Sequence, residues 1–273
     1  MRSRPWVAAL AVCLSALLAP RAARALDPFE IQVYDGTANA PGAFGLELHL
    51  NRVATGHMDA TAPELPLFGQ SHATLEPSYG LAPWWEIGGY FQTALRADGH
   101  FDYAGVKLRS KFVTPPSFHA HLRFGINLEV SYLPEAYDRY RWGAEIRPIA
   151  AWEGDGWLLV VNPIIDLSLA GAGWTGGPSF EPAAKLARSV TSAVAIGMEY
   201  YGSVGTIASP SPLAEQSHSF FGVLDLEAFH DLELELGLGG GVTPASAGVV
   251  GKIIVGYTFD LKKAPPVAGP VKP

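Results

Sequence analysis

Cysteine is almost absent. The single one in 273 residues, Cys13, falls in a short apolar stretch near the N-terminus. Once that stretch is removed no thiol remains, which excludes disulfides, a cysteine nucleophile and a thiolate-held metal. Lipid attachment at Cys13 is disfavoured as well, because Val12 stands where a lipoprotein signal carries a small residue. Long apolar runs are also missing: beyond the first 25 residues none reaches 18, so membrane-spanning helices are excluded. Charge is scarce, at 16% of residues against the usual quarter or so. Positive charge is scarcer still. Four of the 19 Lys and Arg but none of the 26 Asp and Glu lie in residues 1–25, so the formal charge of −7 becomes −11 for the remainder. That balance disfavours nucleic acid and other polyanions as partners.

What is present is apolar content of 48%, finely interrupted. Such a mixture is expected of a membrane β-barrel, whose strands show lipid only every second residue. The N-terminus reads as a targeting segment: Arg2 and Arg4, an apolar core from Trp6 to Leu18, then a small-x-small site at Ala23-Arg24-Ala25. Residues 1–25 are therefore expected to be a signal peptide for Sec-dependent export, 26–261 one barrel domain, and 262–273 a disordered, Pro- and Lys-rich periplasmic tail.

The dominant period is two. In Phe118 to Tyr132, Ala120, Leu122, Phe124, Ile126, Leu128, Val130 and Tyr132 share one face. His119, His121, Arg123, Gly125, Asn127, Glu129 and Ser131 share the other. Strict alternation argues for a strand, because a helix would scatter both sets around its circumference. The pattern recurs at Leu232–Leu238 and Val249–Leu261, and about twelve segments are expected, near 43–54, 71–81, 84–97, 101–113, 118–133, 139–152, 157–170, 179–189, 192–204, 218–230, 231–242 and 248–261. The fold class is all-β, a single antiparallel transmembrane barrel. An even strand count would return both termini to the periplasmic side. Connections are expected to alternate long and short, with the three residues after the third segment an exception. Trp85, Tyr132, Trp142, Trp152, Trp157, Tyr200, Tyr257 and Phe259 fall on outward faces near strand ends, where interfacial girdles belong. A soluble barrel would have to expose rows of Leu and Phe to water or bury its charges against each other. The last strand lacks a terminal aromatic residue; Phe259 followed by Leu261 can serve that role internally.

The segment Phe29-Glu-Ile-Gln-Val-Tyr-Asp-Gly36, followed by Pro41-Gly42 and Phe44-Gly-Leu-Glu-Leu-His-Leu-Asn51, resembles the N-terminal signature of a family of proteobacterial outer-membrane barrels. Its members are described mainly as transporters, some grouped with phenol meta-pathway-type barrels linked to aromatic-compound degradation. The resemblance implies outer-membrane location and solute passage, and it supplies no catalytic residues.

No catalytic, metal or cofactor site is assigned from the sequence. His119 and His121 share a face, but no third ligand has a defined spacing, so they read as lumen histidines. His218-Ser219 lacks an orienting partner at matched spacing. Gly239–Gly241 has no following Lys-Ser/Thr and reads as a strand end or bulge. Charge on the inner faces is the organised feature. The third to sixth segments carry a basic arc of Arg96, Lys107, Arg109, Lys111, Arg123, Arg141 and Arg147, against Glu86, Glu129 and Glu145. The ninth to twelfth carry an acidic arc of Glu199, Asp225, Glu227, Glu233, Glu235 and Asp260, against Lys252. The expected function is a passive channel for small polar or aromatic solutes, lined by these arcs. The alternatives are a closed structural or interaction barrel with a charge-paired lumen and, third, a lipid-modifying enzyme. Expected partners are outer-membrane lipid, small solutes, and periplasmic chaperones and barrel-assembly machinery during biogenesis.

Overall fold

Alternation on this scale closes into a wall. The computed structural model describes residues 26–56, 62–170, 176–229 and 232–261, without the side chains of 227–229. The expected signal peptide and tail lie outside the described residues. The strands are β1 (Ala43–Val53), β2 (Ser71–Ala82), β3 (Trp85–Leu95), β4 (Phe101–Val113), β5 (Leu122–Tyr132), β6 (Trp142–Gly154), β7 (Trp157–Ser168), β8 (Ser179–Thr191) and β9 (Val194–Ser203), followed by the two-residue β10 (Gly205–Thr206) and β11 (Ser209–Pro210), then β12 (Ser217–Phe229), β13 (Leu232–Gly241) and β14 (Val249–Asp260). Every pairing is antiparallel. The ring closes through β1 on β14, with Leu48 opposite Val255, and through β8 on β9, with Lys185 opposite Glu199. Twelve long strands thus form the barrel, and β10 and β11 extend the edge beside β8.

Side chains obey the two-residue rule. On β5, Phe124, Ile126, Leu128 and Val130 are exposed while Asn127 and Glu129 are buried. On β14, Lys252 and Ile254 point in, while Val249, Ile253, Tyr257 and Phe259 point out. An outer surface of Leu, Ile, Val and Phe is stable only against lipid. Aromatic groups gather toward the strand ends; Trp84, Trp85 and Phe112 stack at one mouth.

The six connections at the opposite mouth (54–70, 96–100, 133–141, 169–178, 204–216 and 242–248) include all the long ones except 114–121. That exception is a correction. Alternation carries on through His119 and His121, but Pro115-Pro116 end the ladder, so β5 starts at Leu122 rather than at residue 118. Prolines also interrupt the wall internally. The β6–β7 ladder stops at Ile146–Ile165 and resumes at Ala150–Val161, with Pro148 and Pro163 in the gap. At the end of β13 glycine is required: a Cβ on Gly240 would lie 1.9 Å from the Gly248 carbonyl oxygen.

Candidate functional site in the barrel lumen

Residues 26–42 precede β1, belong to no strand, and run through the barrel from the long-loop mouth to the other. The local cause is another period-two pattern, Phe29, Ile31 and Val33 alternating with Glu30 and Gln32, which keeps the chain extended. Ile31 and Val33 pack in an apolar cluster with Val53, Val160, Ile164, Phe221 and Val250. Phe29 sits among Ala94, Ala104 and Leu133, its ring edge-on to His72 at 4.7 Å and to Tyr137 at 5.6 Å.

Polar side chains of the wall hold the rest of the segment. Asn51 donates to the Pro28 carbonyl at 2.9 Å, and Lys252 donates to the Ile31 carbonyl at 2.9 Å. Glu30 lies 2.9 Å from Lys107 and 3.2 Å from Arg147. Asn162 clamps Tyr34 twice, accepting from its N–H at 2.8 Å and donating to its carbonyl at 2.9 Å. The Tyr34 hydroxyl meets that of Tyr90, and the Arg147 guanidinium lies 4.4 Å from the Tyr34 ring centre. Farther along, Arg123 donates to the Asp35 carbonyl at 2.9 Å, and the Asn39 N–H donates to Glu86 at 2.6 Å. Gly36, at φ +82°, turns the chain beside Arg123.

The predicted basic arc divides in two. Lys107, Arg109, Lys111, Arg123 and Arg147 project into the lumen, each paired with carboxylates. Lys107 meets Asp27, Glu30 and Glu129; Arg109 bridges Glu76 and Glu86, at 2.7 Å each; Lys111 meets Glu86; Arg147 adds Glu145 at 2.6 Å. Arg123 reaches Asp35 and Glu153. Arg96 and Arg141 are rim residues instead. Arg96 follows the last residue of β3 and pairs with Asp102, while Arg141 occupies a turn at φ 62° and pairs with Glu135. The Tyr137 hydroxyl, between this rim and the segment, donates to Asp102; burial and then that bond push it up to about 12.

On the acidic side, Glu199, Asp225 and Glu235 face inward. Lys252 meets Glu199 and Glu235, and Lys185, which belongs to neither predicted arc, lies 2.9 Å from Asp225 and 2.6 Å from Glu235. Glu233 and Asp260 share the inward parity of Glu235 and Lys252 but lie at the short-turn mouth, where they are exposed. The Glu227 side chain lies outside the described residues. Neither arc is therefore a bare sheet of charge. The basic arc is neutralised locally by wall carboxylates and by Asp27, Glu30 and Asp35 of the segment, and the inward acidic residues by Lys185 and Lys252 of the wall. Glu30, Glu76 and Lys185 were the missed partners; strand parity alone would place Lys185 inside, opposite Leu186.

The other candidates dissolve. His119 and His121 are exposed in the 114–121 connection, so they are not lumen histidines. His218 spends its ring on the Tyr200 hydroxyl and the Gln216 side-chain oxygen, at 2.8 and 2.9 Å, while Ser219 is buried.

No family model and no curated protein matches the chain. Solved structures match its shape. The COG4313 outer membrane channel from Pseudomonas putida F1 superposes with a TM-score of 0.60 at 10% identity, over 84% of this chain and 100% of the other. The fold is that of outer-membrane porins. The KdgM porin in complex with disordered oligogalacturonate gives 0.51 at 9% identity over 79% of this chain and 99% of the other, and the NanC porin gives 0.52 at 8% over 80% and 100%. At such identities the likeness carries the architecture alone.

Proposed function

We propose that the chain is a passive channel of the bacterial outer membrane for small polar or aromatic solutes, occluded by its own residues 26–42. The observation that carries this reading is the contrast in how wall and segment are held. The twelve long strands of the wall pair antiparallel into a closed ring, which keeps it intact. The segment has no strand partner and is kept in place by side-chain bonds and apolar packing. It can shift while the wall stays intact, and the path it vacates is lined by polar and charged groups beside the apolar patch of Val53, Val160, Ile164, Phe221 and Val250. Because each arc is locally paired, the pore prefers neither sign of ion strongly. A zwitterion or polar neutral solute finds both donors and acceptors along the way. The location follows from the apolar outer face and its aromatic ends. The resemblance of Phe29–Gly36 to transporter-like barrels supports the same assignment.

The density of buried ion pairs favours a second reading, a permanently closed structural barrel. Liposome swelling separates the two. Proteoliposomes should admit small amino acids and monosaccharides faster than protein-free vesicles, with cationic and anionic solutes entering at similar rates. Swelling no faster than in empty vesicles, for every solute, would leave the structural barrel.

A further inference from the structure

Below the segment, three donors converge on the inner face of the first two strands. Glu47 and Glu76 are directly opposed in the β1–β2 ladder, and His49 stands two residues from Glu47 on the same face. The His49 Nε2 lies 3.1 Å from a Glu76 oxygen and 3.6 Å from a Glu47 oxygen. Those two separations bracket the roughly 3.3 Å between ligand atoms of a tetrahedral ion with bonds of about 2.0–2.1 Å. His49 and Glu76 are buried, while Glu47 is 25% exposed and opens the group to the lumen.

Carboxylates directly opposite each other across a strand pair repel, so positive charge belongs between them. Permanent cations supply it incompletely. Arg109 gives its Nε to Glu76 and its Nη1 to Glu86, and Lys111 also goes to Glu86. Glu47 is met by the neutral Gln32 amide and by the imidazole. Three carboxylates thus share two fixed charges, and the shortfall lies where His49 aims its Nε2. A proton on that nitrogen is one remedy. It leaves a charged ring whose Nδ1, fully buried, has no hydrogen-bond partner among the described residues, and an unpaired donor costs more on a charged group than on a neutral one.

We propose that Glu47, His49 and Glu76 form a divalent-cation site of the borderline, zinc-like class. One imidazole nitrogen and two carboxylate oxygens bind the ion, with a further position open toward the lumen. The ion ties β1 to β2 and draws Glu47 away from Gln32, so its binding also loosens one contact of the N-terminal segment. Zinc chloride titrated calorimetrically into tag-free, chelator-washed protein folded in detergent tests the site, with calcium chloride as the hard-cation comparison. One equivalent of zinc is expected, with calcium far weaker. His49→Gln and Glu47→Gln should each weaken zinc by roughly tenfold or more, as loss of a ligand does at least as strongly as loss of its supporting partner. The exposed double change His119→Ala/His121→Ala should leave it unaltered. A heat-modifiable gel band confirms that each variant is folded; if His49→Gln is not, Glu47→Gln, at the more open ligand, carries the comparison. Failure of the wild type to take up zinc would overturn the proposal and assign the charge to a proton on His49. Undiminished binding in the folded ligand variants, or loss of binding in the His119/His121 variant, would overturn it equally.

Discussion

Lys252→Met removes one cation from the centre of the lumen while keeping an unbranched chain of similar length. Lys252 is fully buried, contacts Glu199 and Glu235, and donates to the Ile31 carbonyl at 2.9 Å. The stranded carboxylates are not left bare: Lys185 stays 3.4 Å from Glu199 and 2.6 Å from Glu235, and the Tyr201 hydroxyl donates to Glu199 at 2.7 Å. Removing one partner of a buried pair costs about 3–5 kcal/mol, and the surviving contacts put this case at the low end, about 3 kcal/mol. At about 1.4 kcal/mol per factor of ten, the folded-to-unfolded ratio falls roughly 100-fold. Urea titration in detergent micelles, scored by the heat-modifiable band, measures the loss. Adding Glu199→Gln to the variant should recover part of it, because the unpaired charge is then gone. A cost below about 1 kcal/mol, the range of solvent-exposed pairs, with no recovery in the double variant, would refute a dry ion network.

Two further outcomes follow from the geometry. Leu128→Arg, on the outer face of β5 where Leu128 is exposed, should cost about 2–4 kcal/mol in lipid, whereas Phe118→Arg in the 114–121 connection should cost little; equal costs in a urea titration of the protein in lipid vesicles would mean the facing is misassigned. Asn162→Ala removes both bonds to the Tyr34 backbone, worth about 0.5–1.5 kcal/mol each, so protease cleavage within residues 26–42 of the folded protein should speed up by roughly tenfold while the barrel's unfolding midpoint moves little. Cleavage at the wild-type rate would show that Asn162 does not retain the segment.

Much of the wall was legible because strand parity is a local property. Fifteen alternating residues around β5 and the Lys252-centred pattern of β14 reveal which side chains share a face, whatever strand lies beside them. Pairing across the lumen is not local. Glu30 is 77 residues from Lys107 and Ile31 is 221 from Lys252, and no spacing rule connects them. The segment itself was missed for a related reason. An extended stretch with period two has the same signature whether it lies in a sheet or threads through its interior, so Phe29–Val33 carried no mark of its role beyond the resemblance it supports. Where alternation misled, a punctuating residue intervened: Pro115-Pro116 before His119, and the turn at Arg141 that sends its side chain to the rim. The Glu47–His49–Glu76 cluster needed the β1–β2 register, which places Glu47 against Glu76 and which neither strand reveals alone.

Single-channel recording in planar bilayers, comparing the wild type with Glu30→Gln, reads out whether residues 26–42 occlude a pore. The substitution weakens the links from the segment to Lys107 and Arg147, charge-assisted bonds worth about 1.5–3 kcal/mol each. Lys107 keeps Glu129 and Arg147 keeps Glu145, both on the wall, so the barrel itself stays paired. Brief, small openings with weak ion preference are expected in the wild type, with at least a tenfold rise in the open fraction in Glu30→Gln. A wild type and a folded Glu30→Gln variant that are both silent at every voltage would contradict the occluded channel.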